Sequence, residues 1–122
     1  MLNCNKIFLA YREEELLPYA FAYLRSQYPR WEGWDLHYNH NDEALSPDFI
    51  IERHQEGITY RAAVEVKSSG WITTAHIRKL NNYAKILANH SRCVIEKIFI
   101  VPSDCDTSLV PNDIKIIYLK EF

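Results

Sequence analysis

Residues 47–67 read PDFIIERHQEGITYRAAVEVK, and this pattern leaves few alternatives to a hairpin. Residues 49–51 and 58–66 are rich in β-branched and aromatic side chains, the composition of strands, and they flank His54-Gln55-Glu56-Gly57. Gly57 supplies the positive φ that a tight hairpin turn needs. With Glu56-Gly57 as a two-residue turn, Gln55 faces Ile58 and Asp48 faces Glu65. A bulge at Gly57 instead shifts the register by one, and the two carboxylates then meet diagonally or not at all. In the first register Asp48, Glu65 and Lys67 share one face of the sheet, whereas Val64 and Val66 point to the other. Facing carboxylates repel unless a cation lies between them. Lys67 can be that cation, in an ion-pair cluster that only closes a strand end, and so can a hard divalent metal such as Mg²⁺.

The rest of the chain supplies elements to cover this hairpin. Between residues 11 and 27, Leu17, Ala20, Phe21 and Leu24, followed by Tyr28, recur at the spacing of a helix with one buried stripe. Pro18 predicts that this helix begins near it or bends there. WDLHYN reads as a short strand. Ile77, Leu80, Ala84 and Leu87 mark a second helix between residues 72 and 90, capped by Thr73 or Thr74. VIEKIFIVP and IKIIYLKEF read as two further strands, separated by the loop SDCDTSLVPND. The expected fold class is therefore α/β: one domain over residues 1–122, with a mixed central β-sheet flanked by helices on both faces.

At 122 residues and 48% hydrophobic, the chain has material for one modest core. No apolar run is long enough for a membrane span, and the N-terminal residues lack a signal-peptide pattern, so no membrane partner and a cytoplasmic location are expected. Cys4, Cys93 and Cys105 are odd in number and far apart, which suggests neither a disulfide framework nor a zinc site. His37, His40, His54, His76 and His90 form no recognised ligand spacing. The net charge of -2 conceals a segregation: residues 71–100 carry Arg78, Lys79, Lys85, Arg92 and Lys97 against Glu96, while residues 1–45 hold four basic and seven acidic side chains. A basic face on an acidic protein and an ordinary solvated helix face both fit this.

Pro47-Asp48, a short hairpin, then Glu65-Val66-Lys67 and a following helix resemble the PD-(D/E)xK nuclease superfamily, which includes restriction endonucleases and Holliday-junction resolvases. The resemblance covers most of the chain and implies a restriction-endonuclease-like core. It further implies metal-dependent hydrolysis of DNA phosphodiester bonds, endo- or exonucleolytic. Asp48, Glu65 and the backbone carbonyl of Val66 would hold Mg²⁺, with Mn²⁺ as a substitute, and Lys67 would orient or deprotonate the attacking water. An acidic residue from the first helix often joins the site. Glu13 fits best because it lies four residues before Leu17, Glu14 is nearly as good, and Glu13, Glu14 and Glu15 also suit a helix N-terminus.

Some relatives carry a QxxxY motif on the helix after the ExK strand, where this chain has Lys79 and Tyr83. His76, Lys79 and Tyr83 follow one helical stripe, and with Arg78 they are the candidate nucleic-acid contacts, lysine as a point charge on phosphate and tyrosine as a hydroxyl or stacking face. Trp31, Trp34 and Trp71 can stack on bases or cover a core edge. So small a chain has little surface for base readout, so recognition of DNA structure, or recruitment by a protein partner or a second copy, is expected. The last strand can pair with another subunit, although Lys115 and Lys120 can equally prevent that. RNA carries the same phosphodiester and stays a candidate. The rival expectation is a catalytically inactive nuclease-fold module that binds nucleic acid or protein.

Overall fold

The computed structural model describes residues 12–39, 46–88 and 92–120; Cys4, Tyr11, His40 and His90 lie outside them. The chain is α/β, and the described residues form two α-helices and one five-stranded mixed sheet. Helix α1 (Glu13–Gln27) is followed by a 3-10 turn at Arg30–Glu32 and strand β1 (Asp35–Tyr38). Strands β2 (Phe49–Gln55) and β3 (Ile58–Val66), helix α2 (Thr74–Leu87), and strands β4 (Cys93–Pro102) and β5 (Lys115–Leu119) complete it. The strands lie in sequence order across the sheet. The β1-β2-β3 meander is antiparallel, whereas β3, β4 and β5 run parallel. Parallel neighbours need a crossover, which α2 provides between β3 and β4.

The hairpin takes the two-residue register: Gln55 faces Ile58 and the pairing runs unbroken to Phe49 opposite Val64. Glu56 and Gly57 both have positive φ, at 53° and 79°, as a type I′ turn requires. No bulge intervenes, so Asp48 and Glu65 are next in line.

Alternation along the strands divides the core into two clusters. Ala62, Val64 and Val66 pack with Phe49, Ile51, Ile98, Ile100, Ile117 and Leu119 against Leu16, Ala20 and Leu24 of α1. Ala63, Phe99 and Val101 pack with Ile72, Leu80 and Tyr83 around α2 and with Cys105 and Ile114 of the last loop. Each large aliphatic or aromatic side chain buried here contributes about 1.5–3 kcal/mol.

Two expectations for the helices need correction. The fully buried stripe of α1 is Leu16-Ala20-Leu24, while Leu17 is half-buried and Phe21 is exposed with its ring 6.3 Å from that of Phe49. Of the two alternatives for Pro18, a helix start there does not hold: Pro18 lies within the helix on the exposed side, where its missing N–H takes the intrahelical donor from the Glu14 carbonyl. Thr73 caps α2, its hydroxyl accepting the His76 N–H at 3.2 Å. Among the described residues, no helix is long and apolar enough to cross a membrane.

Candidate active site at the end of the hairpin

In a two-residue hairpin the flanking residues exchange backbone bonds and every second pair does the same, so Phe49 and Val64 form such a pair. Asp48 and Glu65 therefore meet at the intervening position, where opposing side chains approach most closely. Their carboxylates are interlocked with the backbone. The Asp48 N–H donates to Glu65 Oε1 at 2.9 Å, and the Val66 N–H donates to Asp48 Oδ2 at 2.8 Å. These bonds hold both carboxylates in place and leave Asp48 Oδ1 and Glu65 Oε2 as their outer oxygens.

Pro47 takes the ladder donor away from the Val66 carbonyl. By the same register Pro47 stands opposite Val66, where a ladder residue would donate to the Val66 carbonyl. Proline has no N–H, so β2 provides that carbonyl with no donor. On the other side of β3, Lys67 N–H bonds the Ile100 carbonyl at 3.0 Å, so it is the residues on either side of Val66 that pair with β4. The local sequence thus combines two carboxylates and one carbonyl without a ladder donor, all oxygens, at one strand end.

Lys67 lies beside them. Its Nζ is 3.7 Å from Glu65 Oε2 and 3.4 Å from Glu13 Oε1. Glu13 is the first residue of α1 and precedes buried Leu16 by three positions, which sets it on the inward side of the helix. Glu14 and Glu15 are engaged elsewhere: both pair with Arg12, and Glu15 Oε1 also accepts the Arg12 N–H at 3.1 Å. The sequence offered three adjacent acids, and the helical phase selects Glu13.

The electrostatics follow from burial and crowding. Glu65 is only 4% exposed; burial first, then the nearby Asp48 charge, push its carboxyl up to about 7 against the attraction of Lys67 and Lys79. Asp48 is raised as well, chiefly by burial and partly by Glu13, although the Val66 amide and the two lysines work the other way. A carboxylate pair held near protonation by burial and mutual repulsion is relieved by a cation of higher charge than lysine. Among the described residues, no group of three or more His, Cys, Asp or Glu side chains is arranged to hold a metal ion. Mg²⁺ takes one or two carboxylates and completes its shell with water and phosphate, so the oxygen set at 48, 65 and 66 fits it chemically.

The helix candidates separate. Lys79 faces the site: the Tyr83 hydroxyl, then the charges of Glu65 and Asp48, hold its ammonium above the usual range despite partial burial. Tyr83 itself is 4% exposed and packs in the second core cluster, so its ring offers no stacking face. His76 completes the cap of α2, its Nδ1 accepting the Thr73 N–H at 3.1 Å. Burial, Lys67 and Lys79 together depress its pKa, which keeps the ring neutral. Arg78 is exposed on α2. Sequence reading missed the reciprocal amide-carboxylate bonds and the capping role of His76, and only Thr73 three residues before His76 hinted at the latter.

Compared with known proteins, the chain matches no family model, no curated protein and no solved structure.

Proposed function

We propose that this chain is a metal-dependent nuclease with a restriction-endonuclease-like core, hydrolysing DNA phosphodiester bonds in the cytoplasm. Support comes from the order of elements, a helix, a three-strand meander, a crossover helix and a parallel strand, combined with Pro47-Asp48 and Glu65-Val66-Lys67 at adjoining strand ends. The observation that carries the reading is the pair of half-buried Asp48 and buried Glu65, interlocked through backbone amides and flanked by Lys67. A like-charge pair directly across two strands is unfavourable, and a divalent cation is the ligand that would reverse the sign.

On this reading Asp48, Glu65 and the Val66 carbonyl hold Mg²⁺ or Mn²⁺. When bound, the metal supplies charge neutralisation at the phosphate and a lowered pKa for water. Lys67, kept close to Glu65 and Glu13, offers a fixed positive charge that orients the water and steadies charge building on the phosphate oxygens. Lys79 attracts the DNA backbone toward the carboxylates, offsetting their repulsion of phosphate.

The same residues give a second reading, a nuclease-fold module that binds nucleic acid or protein without turnover. Its specific support is that both carboxylates already accept backbone N–H bonds and Glu65 is almost fully buried. One assay separates the two: incubation with single-stranded, duplex, flapped and four-way-junction DNA in Mg²⁺ or Mn²⁺. Cleavage of one of them that is lost in Lys67→Ala supports the nuclease; binding without cleavage at every metal concentration supports the module.

A further inference from the structure

Trp71 lies four residues beyond Lys67 and two before the Thr73 cap of α2, so it stands between the strand that ends in the candidate site and the helix that carries Lys79. Four residues of chain reach at most about 14 Å. The backbone here is held from both sides: Asp106 N–H donates to the Gly70 carbonyl at 2.8 Å, and Ile72 N–H donates to the Asp106 carbonyl at 3.0 Å. Trp71 and Asp106 form an isolated parallel bridge, and the Ser69 hydroxyl donates to the Trp71 carbonyl at 2.8 Å. Ile72 is 1% exposed and locked in the second core cluster. Alternation then turns the neighbouring indole outward, and it is 58% exposed.

An exposed aromatic alone means little. Trp31 shows this: it is more exposed still, at 83%, but lies in the 3-10 turn beyond the C-terminus of α1, a helix about 22 Å long that begins at Glu13. Trp34, the third tryptophan, is half-buried between Tyr28 and Arg53. Of the three tryptophans only Trp71 joins an exposed indole to a hydrogen-bonded backbone within four residues of Lys67.

We infer that Trp71 is a base-stacking platform that makes the site select DNA with an unpaired nucleotide near the phosphate it attacks, an inference that rests on the nuclease reading above. Inside a duplex each base face is covered by its neighbours, so a rigid indole gains nothing there; an unpaired base offers a free face of any sequence. Selection by strand structure follows without any base-edge hydrogen bond, and it suits a chain with little surface for sequence readout.

The test is binding of fluorescent single-stranded and duplex oligonucleotides of equal length, in EDTA, to the whole protein and to its Trp71→Ala, Trp71→Phe and Trp31→Ala variants. The expected result is tighter binding of single strands by the parent protein. Trp71→Ala should lose about 5- to 150-fold on single strands and change little on duplex; Trp71→Phe should retain most of the affinity and Trp31→Ala all of it. If the parent protein binds DNA but Trp71→Ala binds single strands as well as it does, or weakens both forms equally, the stacking role is overturned and the nuclease reading stands. If the parent protein neither binds nor cuts DNA, the nuclease reading fails and takes the platform with it.

Discussion

The β2-β3 hairpin carries two cross-strand charged pairs on one face, and they are built oppositely. Glu52 faces Arg61, which also donates to the Leu87 carbonyl at 2.8 Å. Burial alone would raise the Glu52 carboxyl, but the hydrogen bond and charge of Arg61 outweigh it and hold the carboxyl below its ordinary range. Four residues along, Asp48 faces Glu65, and both carboxyls are pushed up. In the first pair the partner's charge outweighs burial; in the second, Lys67, Lys79 and two backbone amides do not outweigh burial and the like charge. A hairpin kept only for stability gains nothing from the second pair, since apolar residues of similar volume would pack at least as well.

The contrast can be broken most forcefully at Lys67 and Asp48. Lys67→Ala or Asp48→Ala should lower metal-dependent DNA cleavage by on the order of 100-fold or more, measured as initial rate on the best substrate, while Glu52→Gln should leave that rate within about 2-fold.

Stability should separate the pairs by sign. The folded Glu65 pKa of about 7 lies above the ordinary 4.5, so the native state holds the extra proton between those values. The group's contribution is favourable at the low end and is lost as pH rises toward 7. Glu65→Gln keeps an oxygen for the Asp48 amide and should be more stable than the parent at pH 8, by up to about 3 kcal/mol, with the difference vanishing near pH 4.5. Urea unfolding at the two pH values, without divalent metal, reads this directly.

Arg61→Ala should act in the other direction. It takes the Arg61 donor from Glu52 and from the Leu87 carbonyl, leaving them His54 and the Cys93 thiol, and should cost about 2 kcal/mol at pH 7, and less as falling pH protonates Glu52 through its lowered folded pKa. The smallest change is at the turn that sets the register for both pairs. Gly57→Ala at φ 79° should cost about 1 kcal/mol, because the added methyl meets only the flexible end of Arg92 at 3.2 Å. Thermal unfolding should show a fall of a few degrees with the cleavage rate intact.

Legibility in the sequence followed the range of the interactions. The hairpin was readable because Gly57 and strand alternation are local devices, but they left two registers open, and the positive φ of both Glu56 and Gly57 selects the one in which Asp48 and Glu65 meet. Which stripe of α1 is buried was not: Leu16 and Leu17 are neighbours on the helix surface, and only the sheet decides between them. The same limit hid Tyr83, whose helix position suits a phosphate contact as well as a core ring until Phe99 and Val101 are placed against it. Glu13 was favoured for its spacing from Leu17, with Glu14 close behind, whereas its spacing of three from buried Leu16 is what sets it beside Lys67; the pairing of Glu52 with Arg61 was implicit in the hairpin register and went unread.

The central claim is that Asp48 and Glu65 together hold a divalent cation. Titration calorimetry with Mn²⁺ at pH 6 and pH 8, in buffers of different ionisation enthalpy, tests it most directly. The parent protein should take up one or two ions, more tightly at pH 8, releasing protons from the pair at pH 6, and Asp48→Asn/Glu65→Gln should take up none. Equal uptake by that double variant, or no uptake by the parent protein at pH 8, would contradict the account.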